Sequence, residues 1–246
     1  MRIALLADIH ANREALEACL RDVEARGIDQ VVLLGDYVGY GADPEWAVDR
    51  VMQLVDGGAR AVLGNHDNGV ADPTETMTAD AAVAMAWTRG QLGPPQRAFL
   101  SRLPMRVEED GRLFVHANVH ADRSWLYVDG GPRARKAIDE GGAQVVFCGH
   151  VHVPLLYGVT ATDKLVSFRP VMGAPVPLPR HRRWLGVLGS VGQPRDGNTA
   201  ACYSILDTDD NEVVWLRVPY DVEAAAKKIE HHGLPQGLAE RLRKGR

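Results

Sequence analysis

Cysteine is scarce in this chain. Three stand among 246 residues, at positions 19, 148 and 202, an odd number without paired spacing. That argues against a disulfide scaffold and the secreted classes that depend on one. Long apolar runs are missing as well. The opening "MRIALLAD" stops at Asp8, too soon for a secretory leader, and no small-residue cleavage site follows. No segment approaches the roughly 18–20 apolar residues of a membrane span. An excess of positive charge is also lacking. Twenty-eight Lys and Arg against 32 Asp and Glu give a net charge of −4, so coating of duplex nucleic acid by charge alone is not expected. Internal repeats, low-complexity tracts and linkers are absent. The expectation is a soluble, cytoplasmic protein without a membrane partner. The sequence is silent on oligomeric state.

What is present suits one α/β domain over residues 1–246. Short, non-alternating runs rich in Val, Leu and Ile end abruptly in polar residues. "RIALLAD" ends at Asp8, "QVVLLGD" at Asp36, "ARAVLGNHD" at Asp67, "RLFVHAN" around His116 and "AQVVFCGHVH" at His152. Such runs fit strands buried on both faces. Helical patterns lie between them. In "NREALEACLRDVEARG", Leu16, Cys19, Leu20 and Val23 recur at helical spacing, with Asn12 as N-cap and Gly27 as C′ residue. "DPEWAVDRVMQLVDGG" has Asp43 as cap and Pro44 at the first helical position. The β-α-β-α-β order predicts a sheet that begins parallel. At about 69–104 two helical patterns follow one another with no strand between, which predicts an insertion over the sheet edge or the site. Later, "LGVLGSVG", "ACYSILDT" and "EVVWLRVPY" read as strands, with a hairpin at "DTDDNE". "DVEAAAKKIEHHG" reads as a helix from Asp221 to Gly233.

The polar strand ends converge. Ligands of α/β sheets bind at the carboxyl ends of strands, and Asp8, His10, Asp36, Asn65, His66, Asp67, His116, His150 and His152 all belong there. In "FCGHVHVP" strand alternation aims His150 and His152 the same way. Two unrelated surface histidines would read identically, but five such strand ends together would bury charge and imidazole without partners if packing were their only role.

"DIH" at 8–10, "GD" at 35–36, "GNHD" at 64–67, His116 and "GHVH" at 149–152 resemble the calcineurin-like metallophosphoesterase family. "GSVGQPRDGN" at 189–198 resembles its small bacterial and archaeal branch of phosphodiesterases and diadenosine-tetraphosphatase-like enzymes. The resemblance implies a four-layer α-β-β-α sandwich of two mixed sheets flanked by helices. It implies two divalent metal ions, of Mn, Fe, Zn, Ni or Co. Asp8, His10, Asp36 and His152 would hold the first, and Asp36, Asn65, His116 and His150 the second, with Asp36 bridging. A metal-bridging hydroxide would attack a small phosphomonoester, phosphodiester or dinucleoside polyphosphate. His66 would contact the phosphate and protonate the leaving oxygen, oriented by Asp67, and Asn65 would join His66 at the substrate. Two divalent ions, two carboxylates and one hydroxide leave the site near +1, suited to an anionic phosphate. The alternative is a non-catalytic metal-binding scaffold or interaction protein of the same fold.

Departures from the family pattern are Ala117, where Gly often follows the histidine, and "YVGYG" at 37–41, where protein phosphatases carry Asp-Arg-Gly. Arg195 is read both as a substrate contact and as a turn arginine packed on Asp196. Cys148 reads as a small core residue. His120 reads as a loop histidine, His231 and His232 as a solvated helix end, and His181 as part of a basic loop at 180–183. Tyr37, Tyr40 and Trp87 are candidates for stacking on a nucleobase, with packing the default for each.

Overall fold

Every apolar run named above contributes a strand or a strand-end turn in a computed structural model, which describes residues 1–120 and 122–246. In chain order the described elements are β1 (Arg2–Leu6), α1 (Arg13–Ala25), β2 (Gln30–Leu33), α2 (Pro44–Asp56), β3 (Arg60–Ala61), α3 (Asn65–Ala71), α4 (Ala79–Gln91), α5 (Pro94–Ser101), β4 (Arg106–Glu109) and β5 (Arg112–Val115). They continue with α6 (Gly131–Gly141), β6 (Val145–Cys148), β7 (Leu155–Val159), β8 (Leu165–Phe168), β9 (Val176–Pro177), β10 (Arg183–Val187), β11 (Ala201–Asp207), β12 (Glu212–Val218), α7 (Val222–His231) and α8 (Gln236–Lys244).

The strands form two mixed sheets, ordered β3-β2-β1-β11-β12-β9 and β4-β5-β6-β10-β7-β8. As predicted, the first begins parallel, Ile3 pairing with Gln30 and Val32 with Arg60, before β11 joins antiparallel. β11 and β12 form the hairpin expected at "DTDDNE". Strand alternation separates the two faces of β1. Ile3, Leu5 and Ala7 point between the sheets, where they meet Phe114, Phe147, Leu156 and Trp215. Ala4 and Leu6 point outward onto Leu16 and Cys19 of α1 and Val48 and Val51 of α2. The second sheet's outer face packs Val146 and Cys148 against Ala134, Ala137 and Ile138 of α6. The result is the expected sandwich of helices, two sheets and helices. Burying each large apolar side chain in these layers contributes about 1.5–3 kcal/mol. Among the described residues no helix is long and apolar enough to cross a membrane.

Several local readings are corrected. Asn12 caps α1, accepting from the Ala15 amide at 3.1 Å, but Asp43 makes no side-chain cap bond on α2. Its carboxylate is instead 2.8 Å from Lys228 of α7, a partner 185 residues away. The "HVH" segment is not strand. β6 stops at Cys148, and His150 and His152 lie in a turn at φ 66° and 62°, so strand alternation does not align them. The helical patterns after residue 69 become α4 and α5, without a strand between them. Met85 and Leu100 from these helices join the core outside the first sheet.

Candidate metal centre

The side chains that matter begin just past the strands. Asp8, His10 and Asp36 have left-handed φ values of 55°, 51° and 56°, and His150 and His152 share that region. Each such residue costs about 1–2 kcal/mol relative to right-handed backbone, and strain of this kind clusters where a site over-determines it. Backbone bonds hold the turns together. The Asp8 amide donates to Gly35 at 3.1 Å and the His10 amide to Asp36 at 2.9 Å. The His150 amide donates to the Asp8 carboxylate at 3.0 and 3.1 Å. Gly149 permits that approach, because a Cβ there would lie 2.7 Å from Asp8 Oδ2. Gly39, at φ 84°, likewise leaves room for the His66 ring, into which a Cβ would project.

Two ligand groups result. Asp8, His10 and His152 bring one donor atom each within 4.8 Å of one another, and so do Asp36, His116 and His150. Asp36 joins them, since its Oδ2 is 3.7 Å from His10 Nε2 and 3.3 Å from His116 Nε2. Asn65 Oδ1 lies 3.2 Å from His116 Nε2, on the second group. The other six predicted ligands are therefore gathered around Asp36. His10, Asp36 and His66 satisfy the same distance criterion, so His66 stands beside the ligands as well.

The imidazole tautomers test whether cations fit. His10 Nδ1 faces the Val38 carbonyl at 3.1 Å and His152 Nδ1 the Gln193 carbonyl at 2.6 Å. A carbonyl only accepts, so each Nδ1 carries a proton and Nε2 is the nitrogen turned toward the centre. Those two Nε2 atoms are 3.1 Å apart, close enough for one cation to sit between them. His116 Nδ1 likewise donates to the Leu34 carbonyl at 2.7 Å, while its Nε2 faces Asp36 Oδ2 at 3.3 Å. His150 differs. Its Nδ1 faces His116 Nε2 at 3.2 Å, and its buried Nε2 has no partner. Carboxylate, amide and imidazole donors of this kind suit divalent first-row metals.

Electrostatics agree. Burial pushes His150 down to about 3 and His66 to about 4, and holds His10 well below the usual imidazole range. Burial opposes charge on His116 too, but Asp36 and Asp8 outweigh it and raise that ring to about 9. A positive charge is thus favoured beside Asp36. Burial alone would raise Asp36, yet His116, His66 and His10 hold it well below the carboxylate range.

A cavity of about 340 Å³ opens onto this centre, lined by Asp36, Asn65, His66, His150, His152, Tyr40, Arg195, Tyr127 and the Thr76–Thr78 segment. His66 Nδ1 is buried without a hydrogen-bond partner. The expected Asp67–His66 contact is replaced by another. The Asp67 carboxylate accepts from the amides of Asp36 and Tyr37, both at 2.8 Å, and Gly64, at 3.0 Å. Buried carboxylates satisfy several acceptor sites this way, so Asp67 braces the Asp36 turn rather than the imidazole. Arg195 is not packed on Asp196, which pairs with Arg217. It donates to Gln193 Oε1 at 3.0 Å and lies 5.7 Å from the Tyr40 ring centroid.

The family model for the calcineurin-like phosphoesterase superfamily domain matches residues 1–211. The chain belongs to that superfamily. An uncharacterized protein of Methanocaldococcus jannaschii is 35% identical over 250 residues, covering 99% of this chain and 98% of its own. The crystal structure of a metallophosphoesterase from Sphaerobacter thermophilus superposes with a TM-score of 0.88 at 32% identity, covering 100% and 99% of the two chains. A hypothetical protein from Pyrococcus horikoshii has the same fold, with a TM-score of 0.80 at 19% identity and coverage of 100% and 98%.

Outside this centre, the remaining candidates take structural places. Cys148 is core, its thiol pushed up by burial. Tyr37 is fully buried, its hydroxyl donating to the Leu33 and Val62 carbonyls. Trp87 packs near His232, with ring centroids 5.1 Å apart. His120 pairs with Glu140 at 2.8 Å, away from the ligands. Sequence reasoning missed Tyr127, which stacks on His150, and Gln193, which joins His152 to Arg195. Neither sits in a recognisable spacing. Gln193 lies in the "GSVGQPRDGN" stretch, which was its only sequence signal.

Proposed function

We propose that the protein is a dinuclear metal-dependent phosphoesterase acting on a small phosphomonoester, phosphodiester or dinucleoside polyphosphate. The observation that carries this reading is the pair of side-chain groups meeting at Asp36 Oδ2, with His10 and His152 donating Nδ1–H to backbone carbonyls and turning Nε2 toward the centre. Asp8, His10, Asp36 and His152 would hold one divalent ion, and Asp36, Asn65, His116 and His150 the other. When bound, such a pair supplies positive charge at the phosphoryl oxygens and lowers the pKa of water.

The chain's own groups complete the chemistry. His66 borders the cavity with a ring nitrogen free of protein partners. An anionic phosphate beside it favours the imidazolium and raises its depressed pKa, so His66 donates its proton to the leaving oxygen. Asp67 acts through the amides of Asp36, Tyr37 and Gly64, fixing Asp36 beside Asn65 and His66. Arg195, held at the rim by Gln193 and Tyr40, grips a phosphate oxygen. Residues 69–104 act as an insertion whose Thr76, Met77 and Ala81 limit the cavity to small substrates.

The test strips the protein with chelator and reloads it separately with Mn²⁺, Zn²⁺, Ni²⁺ and Mg²⁺. Each form is assayed on p-nitrophenyl phosphate, bis-p-nitrophenyl phosphate and diadenosine tetraphosphate. Two bound equivalents with turnover that chelation abolishes support the enzyme. Binding without turnover on any substrate would leave the scaffold reading.

A further inference from the structure

The cavity lining is of two kinds. Asp36, Asn65, His66, His150, His152 and Arg195 are the groups assigned above to metal and phosphate. Tyr127, Met77 and Ala81 also line it and carry no charge. Tyr127 lies against His150 with centroids 4.0 Å apart and planes 21° from parallel. One face of its ring is thus covered, yet the residue remains 42% exposed, and Leu126 beside it is 49% exposed. Among the described residues no side chain hydrogen-bonds the Tyr127 hydroxyl. An exposed, rigidly backed aromatic ring at the mouth of a polar site is a platform without an occupant.

The platform is held in place by a clasp. Glu75 Oε2 accepts from the Trp125 indole at 3.1 Å and from the Asn68 amide at 2.6 Å. Trp125 is two residues from Tyr127, and Glu75 is two residues from Met77. One carboxylate therefore ties the Tyr127 loop to the Met77 segment and to α3, which begins with Asn65 and His66. The Tyr127 loop is thereby tethered to α3 before any ligand binds, and preorganisation of this kind lowers the ordering cost of binding.

We propose that Tyr127, with Met77, forms a subsite for the organic group of the phosphoester, and that it takes a planar aromatic group such as a nucleobase or aryl ring. The subsite rests on the phosphoesterase reading for its orientation. The phosphate is anchored at the metals and Arg195, and the planar group stacks on Tyr127. Every base has a π-face, so such a surface selects for aromaticity rather than for one base. About 340 Å³ accommodates a group of mononucleotide size.

The test is binding with turnover suppressed. Titration calorimetry on Mn²⁺-loaded protein, in a His66→Ala background that slows hydrolysis, compares adenosine monophosphate, inorganic phosphate and glycerol phosphate, for wild-type Tyr127 and for Tyr127→Ala and Tyr127→Phe. Metal content is measured in parallel. The protein with Tyr127 intact is expected to bind adenosine monophosphate more tightly than the other two ligands. Tyr127→Ala should weaken adenosine monophosphate about 5- to 50-fold and leave inorganic phosphate within about twofold, and Tyr127→Phe should restore the difference. Equal weakening of all three ligands would make Tyr127 a mere support of His150 and overturn the subsite. No preference for adenosine monophosphate with Tyr127 intact would also overturn it. Tyr127-dependent nucleotide binding without hydrolysis of any ester by the wild type would sink the proposed activity but leave the subsite standing.

Discussion

In the first group Asp36 and His152 line the cavity and Asp8 and His10 do not, whereas in the second Asp36, Asn65 and His150 line it and His116 does not. The tethers differ too. His10, His152 and His116 each have Nδ1 committed to a backbone carbonyl, which leaves Nε2 as the nitrogen turned toward the centre. His150 has no such carbonyl, and what touches its ring is Tyr127. A tether to the other ring nitrogen fixes tautomer and orientation and strengthens a ligand. The difference teaches where the proposed dinuclear centre would be weakest. The ion proposed for the first group is expected to be retained, and the one proposed beside His150 is expected to exchange.

The largest effect should come from the residue both groups share. Asp36→Asn is expected to lose both equivalents and to lower kcat/KM roughly 10³–10⁴-fold, the several kcal/mol that metal charge supplies. Retention of one full equivalent would show that Asp36 is not the common ligand. His66→Ala should lower kcat by about 10²–10⁴ with both equivalents kept, and full activity in that variant would remove His66 from the chemistry. The asymmetry itself is tested by metal analysis during chelation. One equivalent is expected to leave first, and His150→Ala should lack that equivalent while His152→Ala lacks the slower one. Simultaneous release in the wild type would break the comparison. Arg195→Ala should raise KM by roughly 10-fold, the lower end for hydrogen bonds to a charged group, with kcat little changed in steady-state assays. Smallest of all, Cys148→Ala beside the ligand turn should cost about 1 kcal/mol of stability and leave metal content unchanged. Loss of an ion in Cys148→Ala would contradict its place in the core.

The legible parts share one property, that local pattern and tertiary environment agree. The apolar runs of β1, β2 and β6 are buried on both faces, so composition alone marks them. Asn12 caps its helix because its partner amide is three residues away. The illegible parts depend on distant contacts. Asp43 reads as a cap but serves Lys228 and the packing of α7. β8 and β9 are short edge strands, and β8 is largely exposed, so neither shows a buried run. α6 and α8 are short, highly charged helices whose few apolar residues become a face only when a sheet or α7 receives them. His150 and His152 converge as read, but through left-handed turns that strand periodicity cannot anticipate.

By itself the sequence determined the ligand inventory and the order of strands that delivers it. Carboxylates, an amide and imidazoles at the ends of apolar runs are chemical facts of the chain, and parallel β-α-β connections bring such ends to one edge. Only the tertiary structure decided which histidine nitrogens meet backbone carbonyls, that Asp67 braces amides rather than an imidazole, and that Glu75 ties the Trp125 loop to α3. Those outcomes hang on carbonyls, amides and rings brought together from separate segments. No local spacing encodes them, because their energies depend on distances that exist only once the two sheets have packed.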